Sequence, residues 1–256
     1  MKTSRGVFVM AGAALVVILG IGFHNLASAQ PGEGSNWVAQ QTKLPADIHP
    51  ETLSRAIRPK ESDFTDPQQK KVFDEVNNRP GSKQLFARWL GPTGTRLQIP
   101  ELALNYNEQI RLIHEQMTKN GVQPQYQELT IAVATRETDN RDEFLNHEPD
   151  AVKLYGQKVE DIVRTRGETT GLDAKQAAIV HFGRDLFQKP VVSSGAFADL
   201  EKNFGKKGAL SIALLMCYYD SNYDLMRVYD QHMDTSGKCP GPHSGCLDAK
   251  NPPPTW

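Results

Sequence analysis

The sequence predicts an all-α fold, and three observations support that prediction. From Glu101 onward, apolar side chains recur at spacings of three and four residues, as they do on one face of a helix. Pro, Gly and Ser mark the ends of these segments. Outside them, no stretch of five or more residues alternates between apolar and polar side chains as a strand does. We therefore expect one helical domain, residues 66–236, with extensions at both ends.

The first 29 residues are predicted to be an export signal. A short basic start, Met1–Arg5, precedes an almost unbroken apolar run, Gly6–Phe23. Residues 27–29, Ala-Ser-Ala, then form a small-residue cleavage site. The alternative is an uncleaved membrane anchor, because a run of about eighteen residues is at the lower limit for spanning a bilayer. Either way we expect a periplasmic or secreted domain, which contacts the membrane only if the segment is retained.

The segments that follow are assigned in chain order. Residues 30–65 are predicted to be an extended linker or strap, because large apolar residues are few and no period is sustained. A helix follows, with Asp66 as its N-cap and Pro67 at its first position. Residues 88–100, RWLGPTGTRLQIP, contain Pro and Gly and are predicted to be an irregular loop. This loop is expected to pack on the core through Trp89, Leu90 and Leu97.

The rest of the domain is predicted to be helical. The segment from Glu101 to Asn120 has one apolar face and stops at Asn120-Gly121. The next segment starts at Pro124 and is apolar nearly all round from Leu129 to Ala134, which predicts a central, buried helix. Further helical segments are RDEFLNHEPDAVKLYG, VEDIVRTRG, DAKQAAIVHFGRDLFQ, GAFADLEKNFG and KGALSIALLMCYYDSNYDLMRVYDQHM. Residues 237–256 are expected to be an irregular tail.

The three cysteines are expected to have two different roles. Cys239 and Cys246 flank a loop rich in Pro and Gly, which an oxidising compartment would close as a disulfide. The alternative makes Cys239, His243 and Cys246 metal ligands, but the usual zinc spacings and a nearby fourth ligand are absent. Cys217 is expected to be a small apolar residue in a buried helix.

No bound cofactor, metal or nucleic acid is expected. The sequence contains no glycine-rich phosphate loop, dinucleotide fingerprint or metal motif. Lysine and arginine number 29 and aspartate and glutamate number 30, which gives a formal net charge of −1. This balance shows no bias toward nucleic acid or acidic partners.

Polar side chains near the middle of the chain form a candidate site. Glu143 and His147 are four residues apart, so on a helix they lie one above the other, with Asn140 along the same half-buried edge. Glu128, in the preceding helix, stands among residues that favour burial, and a buried carboxylate needs a partner. His147, from the next antiparallel helix, is the natural candidate. The alternative is a surface ion pair of Glu143 and His147, worth roughly a few tenths of a kcal/mol.

The spacing of these four residues resembles the signature of a known family. Glu128, Asn140, Glu143 and His147 occupy the four positions of E-x11-C-x2-C-x3-H, the pattern of the carboxymuconolactone decarboxylase and AhpD-like superfamily. The resemblance covers about residues 100–233. It implies an all-helical, AhpD-like domain with a central antiparallel helical hairpin, which assembles with copies of itself into a homotrimer or hexamer.

Two of the four positions depart from the alkylhydroperoxidase branch of that family. Asn140 and Glu143 replace the two thiols, and neither can be oxidised and recycled, which excludes peroxidase chemistry by that route. The decarboxylase branch is similar instead, because it has Glu and His four residues apart and no CxxC. The long C-terminal helix does not resemble that branch, so no particular substrate is implied.

The residues and the resemblance together predict an enzyme that performs cofactor-independent acid/base chemistry. The reaction would be decarboxylation or isomerisation of a small lactone or carbonyl acid. His147 is expected to donate or accept the proton, because imidazole titrates near neutral pH. Glu143 is expected to be the partner base, Glu128 the buried orienting acid, and Asn140 a hydrogen-bond donor to developing negative charge. The alternative is a helical oligomer of the same family that binds a ligand or serves a structural role without chemistry.

Several other side chains have two possible roles each. Arg136 and Arg141 either anchor a substrate carboxylate or are solvated on the hairpin turn. Tyr219 and Tyr223 share one helical stripe, which lines a pocket or packs in the core. His181, within an apolar run, is expected to be a core histidine with its hydrogen bonds satisfied, and the alternative is a second catalytic histidine.

Overall fold

A computed structural model of the protein describes residues 45–77 and 91–231. Within these ranges the chain is all-α, as the sequence predicts. The export signal, the cysteine pair at 239 and 246, and the tail at 237–256 lie outside the described residues. The helices are α1 (Pro67–Asn77), α2 (Gly91–Arg96), α3 (Pro100–Lys119), α4 (Pro124–Glu137), α5 (Arg141–Tyr155), α6 (Gln157–Arg164), α7 (Ala174–Gln188) and α8 (Ser194–Val228).

The described part of the predicted strap lies against the end of α8. Residues 45–65 form turns and a single-turn 3₁₀ helix, Glu61–Asp63. The N–H of Arg55 donates to the carbonyl of Tyr229 at 2.8 Å, and Nε2 of Gln231 donates to the carbonyl of Thr52 at 3.0 Å. These bonds satisfy backbone groups that no regular element pairs in this segment.

Helix α1 begins as the sequence predicts. Oδ1 of Asp66 accepts a hydrogen bond from the N–H of Gln68 at 2.7 Å, and Pro67 is the first helical residue. Proline suits this position because its missing N–H has no acceptor in the first turn. The buried face of α1 forms a small core with the start of α3 through Val72, Phe73, Leu97 and Ala103.

The segment 91–96 is a short helix, so the prediction of an irregular loop there is wrong. Gly91 has a φ of 78°, which lets the chain turn sharply into α2, and its N–H donates to Oε1 of Gln231 at 3.1 Å. Pro92 then falls in the first turn, where a missing N–H costs little. Leu97 is fully buried, which confirms its predicted packing on the core, whereas Trp89 and Leu90 lie outside the described residues.

Helix α4 is the centre of the domain, as its sequence predicts. It is buried on nearly all sides from Leu129 to Glu137 and packs against α5, α7 and α8. A helix without a polar face must be covered all round, and the other long helices arrange themselves to do so. Helix α3 contributes Ile113 and Met117 to the same core, whereas Leu102 at its start is exposed.

Helices α4 and α5 form an antiparallel hairpin. Three residues, 138–140, connect them, and Asp139 adopts a left-handed conformation with a φ of 58°, which aspartate tolerates better than most residues. Asn140 is the N-cap of α5, and its Oδ1 accepts from the N–H of Glu143 at 3.2 Å. Phe144 and Ala151 form the buried stripe that packs α5 on α4.

Helix α8 joins two predicted helical segments at Gly205. This glycine has a φ of 67° and a ψ of 166°, which interrupts the helical backbone between GAFADLEKNFG and the long segment that follows. After the interruption, Ile212, Leu215 and Tyr219 face the core. Within residues 45–77 and 91–231, none of the helices combines the length and the apolar character that a membrane crossing requires.

Cys217 is exposed on α8, so the prediction that it is buried is wrong. The apolar run around it covers more than the face that packs on the core, and Leu210 and Leu214 are exposed as well. Positions 210, 214 and 217 are spaced by four and three residues and therefore share one outer face. Local sequence could not show which of two apolar faces the core would cover.

A test of the packing concerns Gly183, where α7 meets α4 and α8. A Cβ at this position would overlap with the side chain of Val133 and lie 3.1 Å from Cε of Met216. We expect Gly183→Ala to lower the free energy of unfolding by about 1 to 3 kcal/mol, despite the better helix propensity of alanine. Gly195→Ala, where a Cβ meets nothing within 4 Å, is the control and should leave stability equal or higher. Urea unfolding followed by circular dichroism measures both, and equal stabilities would contradict the packing described.

Candidate active site

His147 lies between two carboxylates in the α4–α5 hairpin. Its Nδ1 is 3.0 Å from Oε2 of Glu128, which confirms the predicted contact between the two helices. Its Nε2 is 3.8 Å from Oε2 of Glu143, one turn earlier on α5. The side chains are 12%, 19% and 15% exposed for His147, Glu128 and Glu143 respectively. They are mostly buried, so the alternative of a surface ion pair is wrong.

Tyr219 of α8 supplies a third partner for the imidazole. Its hydroxyl lies 3.2 Å from Nε2 of His147, and the two rings meet edge to face with centroids 5.5 Å apart. The tyrosine is only 8% exposed. The sequence placed Tyr219 on a stripe that either lines a pocket or packs in the core, but it could not show contact with His147. Each ring nitrogen of His147 therefore has a hydrogen-bonding partner from a different helix.

The surroundings of His147 favour its protonated form. Burial lowers the pKa of the imidazole, but the hydrogen bond with Glu128 and the charges of Glu128, Glu143 and Asp150 outweigh that effect, and the pKa is raised. Burial raises the pKa of Tyr219 well above its usual value, and the charges of Glu143 and Glu128 add to the rise. At neutral pH the site therefore holds a neutral phenol beside an imidazole that readily carries a proton.

The direction of the hydrogen bonds depends on that proton. In the neutral imidazole, Nδ1–H donates to Glu128, and Nε2 accepts from the hydroxyl of Tyr219. In the protonated imidazole both nitrogens donate, so the oxygen of Tyr219 accepts and its own hydrogen is released. The phenol can then donate to an oxygen atom of a ligand. Protonation of His147 thus creates a hydrogen-bond donor at Tyr219.

The side-chain amide of Asn140 is only partly engaged by the described residues. Its oxygen caps α5, as described above, and the residue is 2% exposed. Its Nδ2 has no hydrogen-bond partner among the described residues. A buried donor without an acceptor is costly, and such groups often serve a ligand. The predicted role of Asn140 as a donor to negative charge stays a prediction. Its capping role was missed because Asn140 was assigned to the half-buried edge of the helix and not to its N-terminus.

A further buried acid, Glu160 on α6, lies behind the site and was missed by the sequence analysis. It is fully buried, one oxygen accepts from the hydroxyl of Tyr155, and Oε1 has no partner in the described part of the chain. Burial raises the pKa of Glu160 to about 7; the hydrogen bond with Tyr155 and the charge of His147 lower it, whereas Asp161 and Glu128 raise it. Only the tertiary structure reveals this acid, because VEDIVR reads as an ordinary amphipathic segment.

The other candidates from the sequence lie away from this site or have other partners. Nε of Arg136 donates to the carbonyl of Arg164, and its guanidinium pairs with Asp139 at 2.8 Å, so Arg136 braces the hairpin turn. Arg141, half-buried at the start of α5, has Asp142 as a neighbouring charge. Tyr223 is half-buried, with Arg227 over its ring at 5.4 Å.

His181 is exposed, so the prediction of a core histidine is wrong. It lies on the outer face of α7, where its Nε2 is 2.9 Å from the hydroxyl of Thr169. It borders a shallow surface cavity of about 380 Å³, together with Arg184, Asp185 and Lys189. Across residues 45–77 and 91–231, no group of three or more His, Cys, Asp or Glu side chains is arranged to hold a metal ion.

Comparison of the chain with models of protein families and with curated proteins gave no match. The resemblance to the carboxymuconolactone decarboxylase and AhpD-like superfamily therefore stays a prediction. It depends on the spacing of Glu128, Asn140, Glu143 and His147 in the sequence. The geometry of the site is independent of that resemblance.

The protonation of His147 gives a first test of the site. Glu128→Gln removes the charge that raises the pKa of His147, whereas the burial that lowers this pKa remains. We therefore expect the pKa of the imidazole to fall below the wild-type value. Glu143→Gln should lower the pKa less, because Glu143 acts through its charge alone whereas Glu128 also forms a hydrogen bond. Titration of the imidazole by NMR measures both variants. A larger fall in Glu143→Gln than in Glu128→Gln would contradict the assignment of partners.

The pH dependence of stability gives a test of Glu160. Its pKa is about 7 in the folded protein against 4.5 for an ordinary glutamate, so the folded state binds the extra proton and loses stability as pH rises between these values. We therefore expect the stability of Glu160→Gln relative to wild type to increase from pH 5 to pH 7 and to level off above it. The exposed Glu168→Gln is the control and should show no such trend. Urea unfolding across this pH range measures the difference, and a flat difference for Glu160→Gln would contradict the raised pKa.

Proposed function

We propose that the protein is an enzyme that transfers protons at a carbon next to a carbonyl group. The substrate is a small lactone or carbonyl acid, and the outcome is decarboxylation or isomerisation. One observation carries the proposal, namely a mostly buried imidazole with a carboxylate at one nitrogen and a phenol and a second carboxylate near the other. Pairs of titratable groups held in such surroundings are characteristic of acid/base sites.

Glu143 is the proposed base. It lies one turn before His147, and its side chain is 15% exposed, so its carboxylate can contact a substrate that is bound beside the imidazole. In an isomerisation, Glu143 removes the proton from the carbon next to the carbonyl. The electron pair of that C–H bond forms a C=C bond, and the π electrons of the carbonyl group move to its oxygen, which gives an enolate.

Tyr219 and Asn140 are the proposed donors to the enolate oxygen. Tyr219 stays protonated at neutral pH, and its hydrogen is released when His147 is protonated. Nδ2 of Asn140 is a buried donor without an acceptor among the described residues. Donors that are already in place stabilise the charge as it forms, without the cost of reorienting them during the reaction.

His147 is the proposed acid that completes the reaction. Its surroundings raise the pKa of the imidazole, which favours the protonated ring, and Glu128 balances the resulting positive charge. In an isomerisation, the substrate has a C=C bond conjugated with the enolate, and the protonated imidazole delivers its proton to the far carbon of that conjugated system. The proton on Glu143 then restores the imidazole. In a decarboxylation, the C–C bond electrons form the enolate as carbon dioxide leaves, and His147 then protonates the carbon.

We also propose that the protein is exported and assembles into a homotrimer or hexamer. Export is supported by the basic, apolar and small-residue pattern of the first 29 residues. Self-assembly is supported by the outer face of α8, where Leu210 and Leu214 are 60% and 45% exposed. Neighbouring exposed leucines on a long helix are typical of surfaces that pack against another protein.

The proposal is tested by incubating small lactones and keto acids with the full chain and following mass change. We expect turnover that His147→Ala abolishes and that Tyr219→Phe slows about a hundredfold, since each removes a group that acts on the transition state. Tyr223→Phe is the matched control, because Tyr223 lies one turn further along α8 and its ring faces Arg227. The control should retain wild-type turnover. Turnover unchanged in His147→Ala would rule out the mechanism, and ligand binding without turnover in the wild type would favour the non-catalytic alternative.

A further inference from the structure

Arg96 joins three helices at a point beside the proposed active site. It is the last residue of α2 and is half-buried. The centre of its guanidinium lies 3.4 Å from the ring centroid of Tyr106 on α3, and Nη1 donates to Oδ1 of Asn222 on α8 at 3.0 Å. Because a guanidinium has five N–H donors, the bond to Asn222 leaves donors for a ligand.

The positive charge of Arg96 has no acidic partner in the described part of the chain. Its described neighbours are the rings of Tyr106 and Tyr218 and the amide of Asn222. Arg96 is half-buried, and this burial lowers the pKa of its guanidinium. By contrast, Arg164 pairs with Glu148, and Arg166 pairs with Glu137. A partly buried cation without a counter-ion is costly, and an anionic ligand would offset that cost.

A continuous set of tyrosine rings connects Arg96 to His147. Tyr106 stacks on Tyr218 with ring centroids 4.2 Å apart, and Tyr218 meets Tyr219 at 5.8 Å. Tyr219 in turn contacts His147, as described above. Burial raises the pKa of both Tyr106 and Tyr218, and the negative charge of Glu143 adds to the rise in each. These two tyrosines therefore lie within reach of both the Arg96 cation and the Glu143 carboxylate.

We propose that Arg96, Tyr106 and Tyr218 form a binding subsite for a carboxylate group of the substrate. The planar guanidinium binds a carboxylate through parallel hydrogen bonds. The Arg96 guanidinium and Tyr218 cover the two faces of the Tyr106 ring, so the edges of the tyrosine rings provide the apolar contact for the carbon skeleton next to that carboxylate. The reacting carbon then lies toward His147 and Glu143. The substrate class is accordingly a small acid whose carboxylate is separated from the reacting carbon, and this assignment rests on the proposed function.

The test compares carboxylates with their neutral amides. The probes are acetate and benzoate, with acetamide and benzamide as uncharged counterparts, titrated into the full chain and followed by ligand-observed NMR. We expect at least one carboxylate to bind the wild type tenfold or more tightly than its amide. Arg96→Gln should weaken that carboxylate about tenfold to a hundredfold and leave the amide unchanged, because it removes a charge-assisted hydrogen bond. Arg96→Lys, which keeps the charge but loses the planar fork, should fall between the two.

Arg227→Gln is the matched control. Arg227 also lies over a tyrosine ring on α8, at 5.4 Å from the centroid of Tyr223, but it is exposed and 3.5 Å from Asp224. This variant should bind the carboxylate as the wild type does. A wild type that binds neither carboxylate better than its amide overturns the inference, even if the Arg96 variants do not fold. Equal weakening in Arg96→Gln and Arg227→Gln also overturns it.

Failure of this inference is distinguishable from failure of the proposed function. If carboxylate binding depends on Arg96 but no turnover depends on His147, the subsite stands as a carboxylate-binding site and the proposed chemistry is wrong. If turnover depends on His147 but Arg96→Gln changes neither KM nor carboxylate binding, the chemistry stands and the subsite is wrong. With a turnover assay in hand, a KM raised tenfold or more in Arg96→Gln, with kcat little changed, supports the subsite.

Discussion

The hydrogen bond between Glu128 and His147 depends on the burial of α4. This helix has almost no polar face, so α5, α7 and α8 cover it. Glu128 lies on the same helix, one residue before the buried run, and its carboxylate is drawn into the boundary of the core. A carboxylate there requires a partner, and the antiparallel hairpin brings His147 to it. Both this hydrogen bond and the packing of Phe144 and Ala151 therefore fix the register of α5 against α4.

Three mostly buried carboxyl groups lie near a single imidazole in this site. Glu128 and Glu143 flank one imidazole, and Glu160 lies behind them with its pKa raised to about 7 by burial. In a medium of low polarity these charges influence each other strongly, so the gain of a proton by one group changes the affinity of the next. Such an arrangement costs stability when all its members are ionised. Burial and neighbouring charges also raise the pKa of Glu160 to about 7 and raise the pKa of His147. Groups that titrate near neutral pH are the ones that acid/base catalysis requires.

Two consecutive residues of α8 connect the two ends of the proposed site. Tyr219 contacts His147, whereas Tyr218 stacks on Tyr106, over which the Arg96 cation lies. Adjacent residues on a helix point about 100° apart, so one helix can present a side chain to each of two neighbouring groups. The position of α8 therefore controls both the partner of the imidazole and the surroundings of the cation. Its packing against α4 and α7, where Gly183 has no room for a Cβ, holds that position.

The sequence by itself determined the all-α class, the helical hairpin and the contact of Glu128 with His147. These depend on local periodicity, on punctuation by Pro and Gly, and on the rule that a buried charge needs a partner, all of which are visible within short segments. Only the tertiary structure decided which surfaces are covered. It exposed Cys217 and His181, buried Glu160, and brought Tyr219 to His147 and Arg96 to Tyr106 from other segments of the chain. A side chain acquires its solvation and its neighbours from packing between helices, and no local pattern records which faces will meet.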